Sequence, residues 1–177
     1  MRCGMRLARR SAVGAKVGLR HNATVRWHYR DPLLLWLLPA AYACHLLEEW
    51  LGGFPQWISR VIGAPLPDAA FLAINAVALT IMLAAIRAAT HGERHGWMGV
   101  AVATILFTNG IAHLVGSVVT GSYSPGLFTG IVLYLPLASL VLLRAWTQAG
   151  EGGFGRGVAS GLGLHALVFV IAYAASI

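Results

Sequence analysis

The sequence predicts an all-α integral membrane protein, folded as a single bundle of about five transmembrane helices. Hydrophobic residues make up 58% of the 177-residue chain and charged residues only 11%, about half the charged fraction of a soluble domain. The hydrophobic residues also form long blocks rather than amphipathic stripes, and a helix of roughly 20 apolar residues spans a bilayer. A separate soluble domain has no room in such a chain.

Five blocks are long enough, or nearly so, to form these spans: Leu33–Leu51, Pro67–Arg87, Trp97–Thr120, Gly126–Trp146 and Gly157–Ile177. Most of the connecting segments are short, polar and rich in glycine, as expected of turns. The longer segment FPQWISRVIGAPLP, residues 54–67, is amphipathic and bounded by prolines. It predicts a short helix or a re-entrant piece at the membrane interface. Residues 32–177 are therefore expected to form one transmembrane domain.

The distribution of basic residues predicts the orientation of the bundle. Eight of the 13 Lys and Arg residues lie in residues 2–30, which contain no acid. With the N-terminus in the cytoplasm, twelve of the 13 are cytoplasmic and only Arg60 lies outside. The positive-inside rule favours that arrangement. The sequence thus predicts a cytoplasmic N-terminus and an external C-terminus, in a bacterial cytoplasmic membrane.

Residues 1–31 are expected to be a basic, disordered cytoplasmic leader next to the membrane. They show no aromatic interleaving and no nucleic-acid motif, so the bilayer is the predicted partner and nucleic acid is not. An Arg-rich leader without an acid before Asp31 also resembles an organellar transit peptide, and Met5 is an alternative start. A lipid substrate and a homo-oligomer are both compatible with this composition.

Several polar side chains occur at similar depth in the predicted spans. The first span ends in HLLEE, residues 45–49, and an ionised acid at bilayer centre costs at least roughly 2.5–3.5 kcal/mol. No Lys or Arg lies within the core of any span to neutralise it. At about 1.5 Å per residue, one layer in the outer half of the bilayer receives His45, Glu48, Glu49, Asn75, Asn109, His113, Tyr123, Thr129 and His165.

The spacing of these residues predicts a metal site. His45 and Glu49 are four residues apart, as are Asn109 and His113, so each pair shares one helix face. Protonation, water or a histidinium could also compensate the carboxylates, but imidazole and carboxylate ligands suit zinc, iron or manganese. We predict a divalent metal ion, zinc first and iron as the alternative, bound by His45, Glu49 and His113. His165 is a further candidate ligand.

The second glutamate and the neutral polar residues have separate predicted roles. Glu48 is three residues from His45 and is the candidate catalytic base for a metal-bound water; alternatively it bridges to a second metal. Asn109, Asn75, Tyr123 and Thr129 are further candidate site residues. For Asn75, a hydrogen bond between helices is the competing explanation.

Three motifs resemble the signature of a known family. HLLEE (residues 45–49), NGIAH (109–113) and YSPG (123–126) are similar, in order, to the three motifs of the HXXEE family of small membrane proteins. The resemblance covers roughly residues 33–146. That family has no established activity, so the resemblance implies which residues matter and supplies no reaction.

The residues are compatible with three classes of function. The first is a metal-dependent membrane enzyme, most simply a hydrolase that uses metal-bound water on a lipid or other apolar substrate. Di-iron oxidation is a variant, although the order HxxE differs from the ExxH of di-iron helices. The second class is a proton- or cation-coupled transporter. The third is a haem or quinone protein with His45, His113 or His165 as axial ligand, which leaves the two glutamates unexplained.

Overall fold

In the computed structural model, residues 32–148 and 151–177 are described, and they form helices without strands. The helices are α1 (Pro32–Leu51), α2 (Phe54–Ile62), α3 (Asp68–His91), α4 (Gly96–Thr120), α5 (Leu127–Thr129), α6 (Leu135–Gln148) and α7 (Glu151–Ala174). A 3-10 turn, Glu93–His95, precedes α4, and a π-turn, Gly130–Tyr134, joins α5 to α6. The predicted all-α class is confirmed, while the predicted leader lies outside the described residues.

Four helical segments are long and apolar enough to cross a membrane: Asp68–His91, Gly96–Thr120, Leu127–Gln148 and Gly153–Ala174. The prediction of about five spans is therefore close. The remaining predicted span corresponds to α1, a helix of 20 residues. It falls outside this set because His45, Glu48 and Glu49 reduce its hydropathy. The residues that make α1 less apolar are the ones predicted to have a function.

Helix α4 lies at the centre of the bundle, where it packs against α3, α6 and α7. The surface between α4 and α7 is built from small residues. A Cβ atom added at Gly157 would lie 2.5 Å from Val100 Cβ, and one at Gly161 would lie 2.6 Å from the Ala101 carbonyl oxygen. Lipid removes the hydrophobic drive between helices, so close backbone approach of this kind supports association.

The predicted segment between the first two spans contains the short helix α2. Trp57 of α2 is buried, and its Nε1 donates to Ser122 Oγ at 3.2 Å. The Trp57 ring packs against Gly116 of α4, where an added Cβ would lie 2.9 Å from the ring. Phe54, at the start of α2, lies with its ring centroid 5.4 Å from that of His113. Helix α2 therefore covers one end of the bundle next to a predicted site residue.

The π-turn at Gly130–Tyr134 has a local cause in Pro136. Proline has no N–H to donate within a helix, and its ring collides with the carbonyl group four residues earlier, here that of Val132. A wider turn at Val132 relieves the collision, and π-turns of this kind are frequent at functional sites. Tyr134, the last residue of the turn, is fully buried.

The orientation of the bundle remains a prediction that fusions can test. A reporter fused after Ile177 is expected to indicate the outer side, and one fused after Glu93 the cytoplasm, because basic residues cluster on the inner side. Alkaline phosphatase activity in intact cells measures the first, and a cytoplasm-active fluorescent protein the second. A cytoplasmic signal from the C-terminal fusion would contradict the five-span arrangement.

Candidate metal centre

The structure brings together three of the four predicted metal ligands. His45 and Glu49 lie on α1 and His113 on α4, and one ligand atom from each lies within 4.8 Å of the other two. Glu49 Oε1 lies 3.4 Å from His45 Nε2 and 3.2 Å from His113 Nε2. The three residues are 1%, 6% and 4% exposed. We refer to these residues as the His-Glu-His cluster.

The donor set suits a divalent ion, and the group is close to the size that one ion needs. Imidazole nitrogens and carboxylate oxygens bind zinc at about 2.0–2.2 Å, so ligand atoms of one ion lie roughly 3–4 Å apart. Both carboxylate–imidazole distances fall within that range, whereas the widest separation in the group, 4.8 Å, exceeds it, so the two histidine rings would move closer together to bind one ion. Two histidines and one glutamate are also a set that catalytic zinc sites use, with the fourth position left for water or substrate.

His45 is oriented by two side chains from other parts of the chain. Its Nδ1 lies 2.7 Å from Thr129 Oγ1, and its Nε2 lies 3.1 Å from Asn109 Nδ2. A metal ion on Nε2 would require the ring proton on Nδ1, where Thr129 would accept it, and would take the place of the Asn109 contact at Nε2. Hydroxyl partners on the outer nitrogen of a ligating histidine fix its tautomer and direction. Both Asn109 and Thr129 were predicted as site residues, and the structure places them here.

His113 has an equivalent partner that sequence reasoning missed. Its Nδ1 lies 2.9 Å from the hydroxyl of Ser124, which is fully buried. The Ser124 N–H in turn donates to Ser117 Oγ at 2.9 Å. The ring centroids of His113 and His45 are 4.8 Å apart in an edge-to-face arrangement. Both histidines thus direct Nε2 towards Glu49 and Nδ1 towards a hydroxyl.

Glu48 lies in a different environment from Glu49, and its predicted role as catalytic base does not match its contacts. Its carboxylate accepts the backbone N–H groups of Gly126 and Phe128 at 3.0 Å and of Thr129 at 2.7 Å, and the hydroxyl of Tyr123. These donors occupy both oxygens. A carboxylate is favoured at the start of a helix, where N–H groups have no helical partner. Glu48 therefore fixes the segment that begins with YSPG onto α1.

Tyr123, another predicted site residue, contributes through Glu48. Desolvation, followed by the hydrogen bond to Glu48 and its charge, raises the pKa of the Tyr123 phenol above the usual value. The phenol therefore stays protonated at neutral pH. It serves as a donor to Glu48 and does not contact the His-Glu-His cluster directly.

Gly126, the glycine of YSPG, lies directly against both histidines. Its φ is +102°, a conformation that L side chains rarely adopt. A Cβ atom there would lie 2.6 Å from His113 Cε1 and 2.7 Å from His45 Cε1. The two imidazoles therefore approach the backbone at Gly126 so closely that any side chain at this position would displace them.

The other predicted site residues lie outside the cluster. Asn75 accepts the Tyr42 hydroxyl at 2.5 Å and donates to the Phe71 carbonyl at 2.9 Å, which is the predicted hydrogen bond between helices. His165 is partly buried on α7, with its ring edge-on to Phe169 at 5.0 Å. It is not part of the group of ligand atoms formed by His45, Glu49 and His113.

Tyr134 is a neighbour of the cluster that sequence reasoning missed. Its ring stacks on that of His45, with centroids 4.2 Å apart and planes at 29°. Its position depends on the π-turn, and the only signal of that turn in the sequence is Pro136. A tyrosine within an apolar span is otherwise unremarkable.

Comparison with known proteins agrees with the motifs. The model of a family described as "Protein of unknown function with HXXEE motif" matches residues 36–141. This range contains all of the His-Glu-His cluster, the turn around Gly126 and Tyr134, and it ends before α7. No curated protein and no solved structure matched the chain.

Proposed function

Since the chain belongs to the HXXEE family, described only as proteins of unknown function, we propose a function from its geometry: a metal-dependent membrane hydrolase for a lipid or other apolar substrate. The observation that carries this proposal is the position of Glu49 between the Nε2 atoms of two histidines, all three buried.

The energetic argument concerns the charge of Glu49. A buried carboxylate is strongly unfavourable unless it is paired and hydrogen-bonded, and no Lys or Arg contacts Glu49 in the described part of the chain. Its polar contacts are the two imidazoles. A divalent cation would neutralise the carboxylate and bind both nitrogens, once the two rings move slightly closer together. Zinc fits this donor set best, with iron as the alternative.

The chemistry expected of such a site is hydrolytic. A divalent ion with an open position lowers the pKa of bound water to about 7 and so supplies a nucleophile at neutral pH. Thr129 and Ser124 hold the ligand rings in place, while Glu48 fixes the turn that carries Gly126. A separate carboxylate base is not required for this scheme, so the hydrogen-bonded state of Glu48 is compatible with it.

Aromatic side chains beside the cluster support an apolar substrate. The Phe54 ring centroid lies 5.4 Å from that of His113 and 5.9 Å from that of Phe71. Phe71 in turn stacks with Trp50 at 6.2 Å. The side of the cluster that faces Phe54 is therefore lined by aromatic rings, an environment that suits an acyl chain.

Metal analysis of the detergent-purified protein tests the first half of this proposal. The wild type is expected to hold about one zinc per chain, and His45→Ala and His113→Ala are expected to lose it, because each removes one of three ligands. His165→Ala is the matched control and should retain the metal. A wild type that binds no zinc, purified or reconstituted, would contradict the proposal and favour a proton relay through the same three groups.

Hydrolysis is tested separately with the same variants. Wild type should release product from phospholipid or acyl-ester micelles, and both cluster variants should lose this activity together with the metal. A metal-loaded wild type that is inactive on all these substrates would contradict the hydrolase assignment while leaving the metal centre intact. A haem absorption band would contradict both the metal centre and the hydrolase assignment. We expect no such band, because the Glu49 carboxylate occupies the space that a porphyrin between His45 and His113 would need.

A further inference from the structure

The hydroxyl group of Tyr134 is buried beside the His-Glu-His cluster and makes no hydrogen bond to the described residues. The residue is 0% exposed, and its hydroxyl has no hydrogen-bond partner among the described residues. Buried hydroxyls are almost always hydrogen-bonded, because an unpaired one loses its interactions with water and gains nothing. An exception next to a candidate site calls for a functional explanation.

The surroundings of this hydroxyl connect it with the cluster. The Tyr134 ring stacks on His45 at 4.2 Å. Tyr42, another buried tyrosine of the bundle, already donates its own hydroxyl to Asn75. The free donor therefore belongs to a residue that lies directly against His45, one of the three candidate ligands.

The π-turn holds Tyr134 in this place. The residue ends this turn, a rare helical geometry that occurs mostly as a single turn and often at functional sites. The same turn begins at Gly130, whose carbonyl oxygen would lie 3.1 Å from a Cβ atom added at Gly110 of α4. Close packing against α4 thus fixes the start of the turn, and the stacked His45 ring fixes its end.

Building on the metal centre proposed above, we propose that the Tyr134 hydroxyl binds the substrate. It would donate a hydrogen bond to the carbonyl or phosphoryl oxygen of a ligand bound at the open metal position. Donors aimed at an oxygen that gains negative charge are among the strongest contributors to hydrolytic catalysis. The substrate class that follows is an acyl or phosphoryl compound with an oxygen acceptor beside the scissile bond.

Ligand titrations of the cobalt-substituted protein test this inference. Acetohydroxamate and inorganic phosphate serve as oxygen probes, imidazole serves as a metal ligand without an oxygen acceptor, and the cobalt absorption bands report binding. Tyr134→Phe is expected to weaken the oxygen probes by about 3–10-fold, the usual effect of one hydrogen bond, and to change imidazole affinity by less than about twofold. The probe with the larger loss identifies the substrate as acyl or phosphoryl.

Tyr42→Phe is the matched control. Tyr42 is also a buried tyrosine near Glu49, but its hydroxyl is already used by Asn75, so all three probes should bind the variant as they bind wild type. The apparent melting temperature of metal-free Tyr134→Phe should equal or exceed that of wild type, because the substitution removes an unpaired polar group. A purely structural hydroxyl would instead lower it.

Two results would overturn the assignment of Tyr134. Unchanged oxygen-probe affinities in metal-loaded Tyr134→Phe would show that the hydroxyl does not contact the ligand. An equal loss for imidazole would show a general distortion of the centre. Failure of the wild type to bind cobalt or zinc would remove the metal centre itself, and with it this inference, so the two failures are distinguishable.

Discussion

Replacing Gly126 with alanine is expected to abolish metal binding and to destabilise the protein by about 2–6 kcal/mol. The φ of +102° at this residue strains any L side chain by about 1–3 kcal/mol. The new methyl group would also lie 2.6 and 2.7 Å from the two histidine rings, and overpacking of that kind typically costs about 1–3 kcal/mol. Relief of the collision requires the ligand rings to separate, which removes the centre.

Gly121→Ala provides the control for this substitution. Gly121 also has a positive φ, +61°, but a Cβ atom added there has no neighbour within 4 Å. It should therefore lose stability through backbone strain alone and retain zinc. The measurements are zinc content and the denaturation midpoint in detergent. Full zinc occupancy in Gly126→Ala would show that the turn does not constrain the histidines.

Exchange of the two adjacent glutamates for glutamine is expected to give opposite results. Glu49→Gln should weaken zinc binding by more than about 100-fold, because loss of a supporting residue alone typically costs 10–100-fold and Glu49 is a proposed ligand. Its effect on the metal-free protein should be small. Affinity is measured by competition with a zinc chelator of known strength.

Glu48→Gln should retain zinc and lose about 1.5–3 kcal/mol of stability. Glutamine keeps one acceptor oxygen, whereas Glu48 accepts from donors at both oxygens, and hydrogen bonds to charged groups contribute about 1.5–3 kcal/mol. The amide N–H₂ would also face a backbone N–H group. Zinc loss in both variants would indicate a bridging carboxylate and a second metal, contrary to the geometry described here.

The sequence was sufficient to predict the ligands that lie on one helix face. His45 and Glu49 are one helical turn apart, so their neighbourhood follows from helix geometry alone. His113 was predicted as a ligand because the number of residues from the end of its span gives its depth in the bilayer. His165 was predicted by the same count. It follows Gly161, which packs against α4, by one helical turn, so it lies near the α4-facing side of α7. Its ring contacts Phe169, however, and it is not part of the group of ligand atoms formed by His45, Glu49 and His113.

The residues that were missed, or given another role, depend on tertiary contacts. Glu48 and Glu49 are the same type of residue, but adjacent residues of a helix point about 100° apart. It therefore meets the turn at Gly126 rather than the histidines. Ser124 lies within YSPG, and nothing in the sequence indicates which residue its hydroxyl contacts. Only the folded turn shows that its hydroxyl contacts His113.

The π-turn makes the length of one segment as important as any motif. The π-turn contains one residue more than an α-helical turn. The side chains of α6 are therefore rotated about the helix axis relative to those that precede the turn. Loss of a single residue between Gly130 and Pro136 would restore regular spacing and rotate the following side chains by about 100°. Tyr134 would then leave His45, although all three motifs were intact. We therefore expect a tyrosine hydroxyl beside His45 only in family members that keep both the tyrosine and the number of residues between Gly126 and Pro136.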